Sequence, residues 1–196
     1  MFKYLFVIVG SIASATAFAQ SEKFSGASIG INTGFESSKS TFTTNLGSFS
    51  PGSNNTAFNV DANYIFALSS AATLGLGTTF DLTSSKLLKA SENSLLQSTD
   101  ISLKNHYSAY VAPGYAFSDS ALGYFKLAYQ AGKASGTTTS KNINGVGYGF
   151  GAIYSIDKNL FLNLEIQQVE YKSVTVNTTS IAVSETLSTI GIGYKF

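Results

Sequence analysis

The feature that most limits how this chain can fold is an apolar–polar alternation of period two. It is clearest from Gly145 to Ile156, where Val146, Tyr148, Phe150, Ala152, Tyr154 and Ile156 take every second position and Gly147, Gly149, Gly151 and Ser155 lie between them. Such a segment has two unlike faces as a strand and no coherent face as a helix. The pattern recurs over Phe24–Glu36, Ala57–Leu68, Ala72–Thr83, Ile101–Phe117, Ala121–Ala131, Leu160–Tyr171 and Ile181–Phe196, so eight strands are expected. Three connections are short, Ser69–Ala71, Ser118–Ser120 and Asp157–Asn159, and they alternate with four long polar ones over 37–56, 84–100, 132–144 and 172–180. Successive hairpins then put all the short turns at one end of the sheet and all the long loops at the other.

Which face is wet decides the class. A soluble sandwich also alternates, but it crowds charge onto its polar face. Here the polar positions are mostly Gly, Ser, Asn and Thr, and the apolar face between its rims carries no Asp, Glu or Lys. A lysine at a bilayer midplane costs about 2–4 kcal/mol, so an uncharged face is what lipid demands. Small polar residues on the other face suit an eight-stranded barrel, whose interior is just wide enough for side chains. Aromatics collect at both strand ends: Tyr64, Phe66, Tyr115, Phe117, Tyr154, Tyr194 and Phe196 at the short-turn end, and Phe35, Phe58, Phe80, Tyr107, Tyr129 and Tyr148 at the other. They read as two interfacial girdles. The expected fold is all-β, an eight-stranded antiparallel up-and-down transmembrane β-barrel.

Ahead of the strands, Lys3, the apolar run Tyr4–Ile12 and Ala17-Phe18-Ala19 have the parts of a cleaved signal peptide. Residues 1–19 are read as that leader and 20–196 as one outer-membrane barrel domain. With 12 Lys+Arg against 11 Asp+Glu and a net charge of +1, no basic footprint for nucleic acid exists. The absence of cysteine excludes disulfides, thiolate metal sites and a thiol nucleophile, and the single histidine, His106, excludes a multi-histidine metal site. No cofactor and no metal are expected.

The chain ends Thr189-Ile190-Gly191-Ile192-Gly193-Tyr194-Lys195-Phe196. This resembles the C-terminal β-signal of outer-membrane barrels, which implies that Gly191, Tyr194 and Phe196 are read by the barrel assembly machinery. Tyr110-Val-Ala-Pro-Gly-Tyr115, Gly145-Val-Gly-Tyr-Gly-Phe-Gly151 and Leu164-Glu165 resemble the small OmpA/OmpX/opacity-protein group of eight-stranded barrels. That resemblance implies a bacterial outer-membrane protein bedded in lipid, here without the periplasmic peptidoglycan-binding domain of the OmpA branch, and a monomer.

The candidate interior charges are Asp61, Asp81, Lys104, His106, Lys126, Glu165 and Glu185. Charges in a cramped lumen must pair, so a structural ionic network is the expected role, and a narrow ion or small-solute channel is the alternative. Centring the 84–100 loop sets Asp81 opposite Lys104, and a slip of two residues sets it opposite His106 instead. His106-Tyr107-Ser108 resembles the His-x-Ser of PagL-type lipid A deacylases, whose orienting glutamate has no counterpart on the next strand, Ala121–Ala131. The expected function is structural or surface-interacting, through extracellular loops whose ligand carries no recognisable motif. A lipid A modifying enzyme is the less favoured alternative.

Overall fold

The computed structural model describes residues 20–44, 47–88, 101–135, 140–176 and 179–196, so the leader 1–19 lies outside the described residues. Eight long strands form the wall: β1 (Gly26–Thr44), β2 (Gly52–Ala67), β3 (Ala72–Asp81), β4 (Ile101–Ala116), β5 (Ala121–Ser135), β6 (Ser140–Ser155), β7 (Leu160–Tyr171) and β8 (Thr179–Lys195). Each pairs antiparallel with its sequence neighbours, and β8 pairs with β1 from Ser28↔Lys195 to Thr43↔Ser180. The sheet is thereby closed and has no free edge. Short segments Gly47–Phe49, Ser85–Leu88 and Val174–Val176 add to the wall at the long-loop end.

The outer face is the apolar one. All thirteen girdle aromatics are exposed on it, with Tyr64–Phe66, Tyr115–Phe117 and Tyr194–Phe196 rings 4.6, 5.3 and 5.3 Å apart at the short-turn end and Phe80–Tyr107 6.2 Å apart at the other. No described helix is long and apolar enough to cross a membrane; the crossing is made by strands.

The strands reach further than the alternation suggests. β1 continues past Glu36 to Thr44, and β5 and β6 reach Ser135 and Ser140. Beyond the upper girdle the outer face meets water, so apolar residues are no longer required there and the sequence signal fades while the hydrogen-bonded ladder goes on. Ser38, Ser40 and Ser53 remain buried along this extension.

One strand breaks period two. Asn105 has φ 49°, and the β4–β5 register shifts between Lys104 and Tyr107, where Lys104 faces Lys133 and Tyr107 faces Ala131. This bulge moves the upper end of β4 by one residue, so Leu103 turns inward and is buried while Lys104 is exposed on the outside. Lys104 is therefore not an interior charge, and its expected partnership with Asp81 is corrected: His106 stands in that place.

Inward glycines make room for large lumen side chains. A Cβ on Gly77 would sit 2.5 Å from Tyr110 Cζ, one on Gly151 would strike the Tyr124 ring, and one on Gly193 the Phe161 ring. The run Gly145-Val-Gly-Tyr-Gly-Phe-Gly151 is thus a smooth inner wall as much as an alternating strand.

Candidate functional site

The lumen is built in layers. At the short-turn end a single helical turn, Gln20–Phe24, tucks under the barrel: the Ser21 amide donates to Ser70 O at 3.0 Å, its hydroxyl donates to Ser69 O, and Lys195 Nζ donates to Lys23 O. This seats Phe24 inside the mouth against Ala116 and Leu122, with Ile65, Tyr124 and Ile153 around them.

Above that apolar floor lies the first polar layer. Lys126 Nζ donates to both Glu165 oxygens at 2.9 and 3.1 Å and stands 4.2 Å from the centre of the Tyr110 ring. Tyr110 donates to Asp61 Oδ2 at 2.8 Å, and Asn63 donates to Asp61 Oδ1 at 2.7 Å. The Tyr124 hydroxyl is 2.8 Å from Glu165 Oε2 and 2.9 Å from Asn163 Oδ1. Every charge in this layer has a partner, as burial requires.

A second polar layer sits nearer the long-loop end. His106 Nδ1 is 2.6 Å from Asp81 Oδ2, and His106 Nε2 is 3.1 Å from the Tyr171 hydroxyl, which donates to Glu185 Oε2 at 2.8 Å. Since that phenol has one proton to give, all three contacts are satisfied together when both ring nitrogens carry hydrogen. Ser38 Oγ lies 3.0 Å from Glu36 Oε1 and 3.4 Å from Glu185 Oε1, and Glu36 also accepts from Ser85 Oγ at 2.5 Å and from Asn55 Nδ2 at 3.2 Å. Leu103, Val169 and Tyr171 then pack with Ala134, Ile143 and Val183 as an apolar ceiling on one side.

Six of the seven expected interior charges, Asp61, Asp81, His106, Lys126, Glu165 and Glu185, line the internal space, whose water-accessible volume is about 60 Å³. That is room for roughly four or five waters. Between the layers Gln130 Oε1 and Gln167 Nε2 are buried without protein partners, which marks where water belongs. Sequence reasoning missed Glu36, which is buried at the end of the legible alternation, and the tyrosines Tyr110, Tyr124 and Tyr171, which share the parity of the inward set but are aromatic where that set was read as small or charged residues. Ser108 is bonded to Thr79 Oγ1 at 2.6 Å, whereas His106 is engaged by Asp81 and Tyr171. No group of residues able to hold a metal occurs among the described residues.

The residues expected to form a C-terminal assembly signal have structural places too. Gly191 is buried where a Cβ would strike the Asn32 side chain, Tyr194 and Phe196 lie ring to ring on the outer wall, and the Phe196 amide donates to Ala27 O at 2.9 Å.

Comparison with curated proteins gives no match. Among solved structures, Neisserial surface protein A is similar at 20% identity and a TM-score of 0.50, over 87% of this chain and 99% of that one. Ail, the attachment invasion locus protein of Yersinia pestis, solved in complex with the heparin analogue sucrose octasulfate, is 16% identical with a TM-score of 0.48 over 87% and 99%. The outer membrane protease OmpT from Escherichia coli is 11% identical with a TM-score of 0.48 over 87% and 96%. Residues 5–196 match the family described as outer membrane protein beta-barrel domain. The closed lipid-faced barrel and that match together establish that the chain belongs to this family of outer-membrane proteins.

Proposed function

We propose that this barrel has a structural or surface-interaction role, exerted through the loops at its extracellular end, and catalyses no reaction. The observation that carries the reading is the filled lumen: two paired polar layers between apolar packing, with Phe24 in the periplasmic mouth and about 60 Å³ left over. A rigid closed wall is the kind of scaffold on which binding loops are presented. The protein refolded into planar bilayers is expected to give no steady conductance steps. Reproducible unitary steps would replace this reading with that of a narrow channel.

The channel reading draws on one observation, the unpaired Gln130 and Gln167 groups facing the internal space. It would need the floor at Phe24 and the Lys126–Glu165 pair to move aside. The lipid A deacylase reading draws on His106 and Ser108, but the hydroxyl it would use as nucleophile is buried inside the wall and bonded to Thr79, away from acyl chains that lie outside. A nucleophile needs its base within hydrogen-bond reach.

We further propose that residues 1–19 are removed on export and that Gly191, Tyr194 and Phe196 are read during assembly. Phe196 is 75% exposed, so the finished barrel buries little of its ring. Deleting it is accordingly expected to leave export intact and to reduce the outer-membrane yield several-fold, measured by fractionation and by the heat-modifiable gel mobility of folded barrel. An unchanged yield would remove Phe196 from the signal.

A further inference from the structure

Where β4 and β5 rise above the upper girdle, Lys104 and Lys133 stand directly opposite each other across the ladder, both exposed on the outer wall. Opposed side chains on one face have Cβ atoms about 4.5–5.5 Å apart, and like charges so placed repel. Among the described residues neither ammonium makes an ion pair or hydrogen bond. The other cross-strand neighbour of Lys133 is Asn142, while Lys141 pairs with the inward-facing Ala134 and lies on the opposite face. The arrangement is produced by a specific device: without the bulge at Asn105, Lys104 would point into the lumen.

Charge is also sorted across the wall. The strand carboxylates Glu36, Asp61, Asp81, Glu165 and Glu185 point inward, while the outward acid above the girdle, Glu170, accepts from the Tyr148 hydroxyl at 3.3 Å. Depth supports a lipid rather than a soluble ligand. Lys133 lies four residues beyond the girdle residue Tyr129, which at about 3.3 Å per residue and a tilt of 35–45° sets it roughly 10 Å above the hydrocarbon edge. That is headgroup depth, within reach of a snorkelling lysine, and the pair faces sideways over the lipid-facing rings of Tyr107 and Tyr129 instead of the barrel mouth.

We propose that Lys104 and Lys133 together clamp a phosphate group of an outer-leaflet lipid headgroup. An anion between the two ammoniums converts their repulsion into a bridge, so the pair is a lateral lipid site on the barrel wall. The proposal rests on the outer-membrane placement and is independent of whether the lumen conducts.

The test compares wild type with Lys104→Gln/Lys133→Gln after refolding into phosphatidylcholine vesicles with and without phosphorylated lipid A, reading the unfolding temperature by heat-modifiable gel mobility. Both proteins should unfold alike in phosphatidylcholine alone. Lipid A in hundredfold excess over its dissociation constant should raise wild type by roughly 5 °C or more and the variant by much less. Equal shifts in the two proteins overturn the proposal, as does a wild-type shift that survives dephosphorylation of the lipid A. Inorganic phosphate reproducing the shift in phosphatidylcholine would overturn a headgroup site in favour of a free-anion site, and soluble heparin shifting the protein where lipid A does not would overturn it in favour of a sulfated glycan. Should the double variant fail to refold, Lys133→Gln alone, a change on a regular exposed stretch of β5, is read against the same outcomes.

Discussion

Replacing Lys126 by Met is expected to destabilise the refolded barrel by about 3–5 kcal/mol, and adding Glu165→Gln to restore much of the loss. The two side chains are only 4% and 9% exposed, so neither charge is screened by bulk water, and the ammonium bridges both carboxylate oxygens at 2.9 and 3.1 Å. Met keeps an unbranched apolar stem but removes the ammonium that lies over the Tyr110 ring, leaving Glu165 as an uncompensated carboxylate in the same layer as Asp61. Changing Glu165 to Gln then removes the stranded charge while keeping an acceptor for the Tyr124 hydroxyl. Urea titrations of the single and double variants measure the cycle, with gel mobility as the readout because the chain has no tryptophan. Additivity to within about 0.5 kcal/mol would mean that the two groups do not depend on each other, and the paired layer would lose its claim to be what closes the lumen.

That layer shows how far the sequence can be read. The outward set was legible residue by residue because lipid tolerates no exceptions: Ile29, Ile31, Leu76, Val111, Leu127, Phe150, Leu164 and Ile192 are exposed, and Val60 stands opposite Ile31, as the alternation requires. The inward positions of Asp61, Lys126 and Glu165 follow from the same parity. Their partnerships do not, since Lys126 on β5 reaches past β6 to Glu165 on β7, and Tyr110 on β4 reaches past β3 to Asp61 on β2. Such contacts cross the lumen between strands that are not neighbours, and pairing rules for adjacent strands say nothing about them. Glu36 escaped for a different reason: it sits at the upper edge of the apolar band, where the outer face turns polar and parity can no longer be read. Lys104 was misplaced because a bulge changes parity without leaving a hydrophobic signature. The one local hint is Asn105 itself, a residue type that tolerates the left-handed region.

The second large effect is therefore expected from that single residue. Deleting Asn105 would remove the extra residue and restore strict alternation through β4 with Lys104 still outward and Leu103 still inward. Straightening the strand at its full length would instead turn its upper end over, since a one-residue slip sends every side chain beyond it to the opposite face. In a straightened strand of full length Leu103, 2% exposed and packed with Val169 and Tyr171, would be driven to the outside, and Lys104 would be driven into the layer that holds Asp81, His106 and Glu185. Losing a buried leucine from such a cluster costs about 2–5 kcal/mol, so a full-length strand is expected to hold its bulge, while the deletion variant should keep the ladder pairs Ser102↔Ser135 and Leu103↔Ala134. Asn105→Gly should be nearly neutral, because glycine adopts φ 49° without strain, whereas Asn105→Val should cost about 1–2 kcal/mol from the backbone alone. Urea midpoints rank the three variants, and mass-spectrometric mapping of amine labelling follows Lys104 directly: the residue should react with a water-soluble acylating reagent in wild type, in the glycine variant and in the deletion variant, and be protected only in a full-length strand that straightens. A deletion variant in which Lys104 is protected would show that the strand absorbs the lost residue elsewhere, and that the extra residue at 105 is not what sends Leu103 inward and Lys104 out to face Lys133.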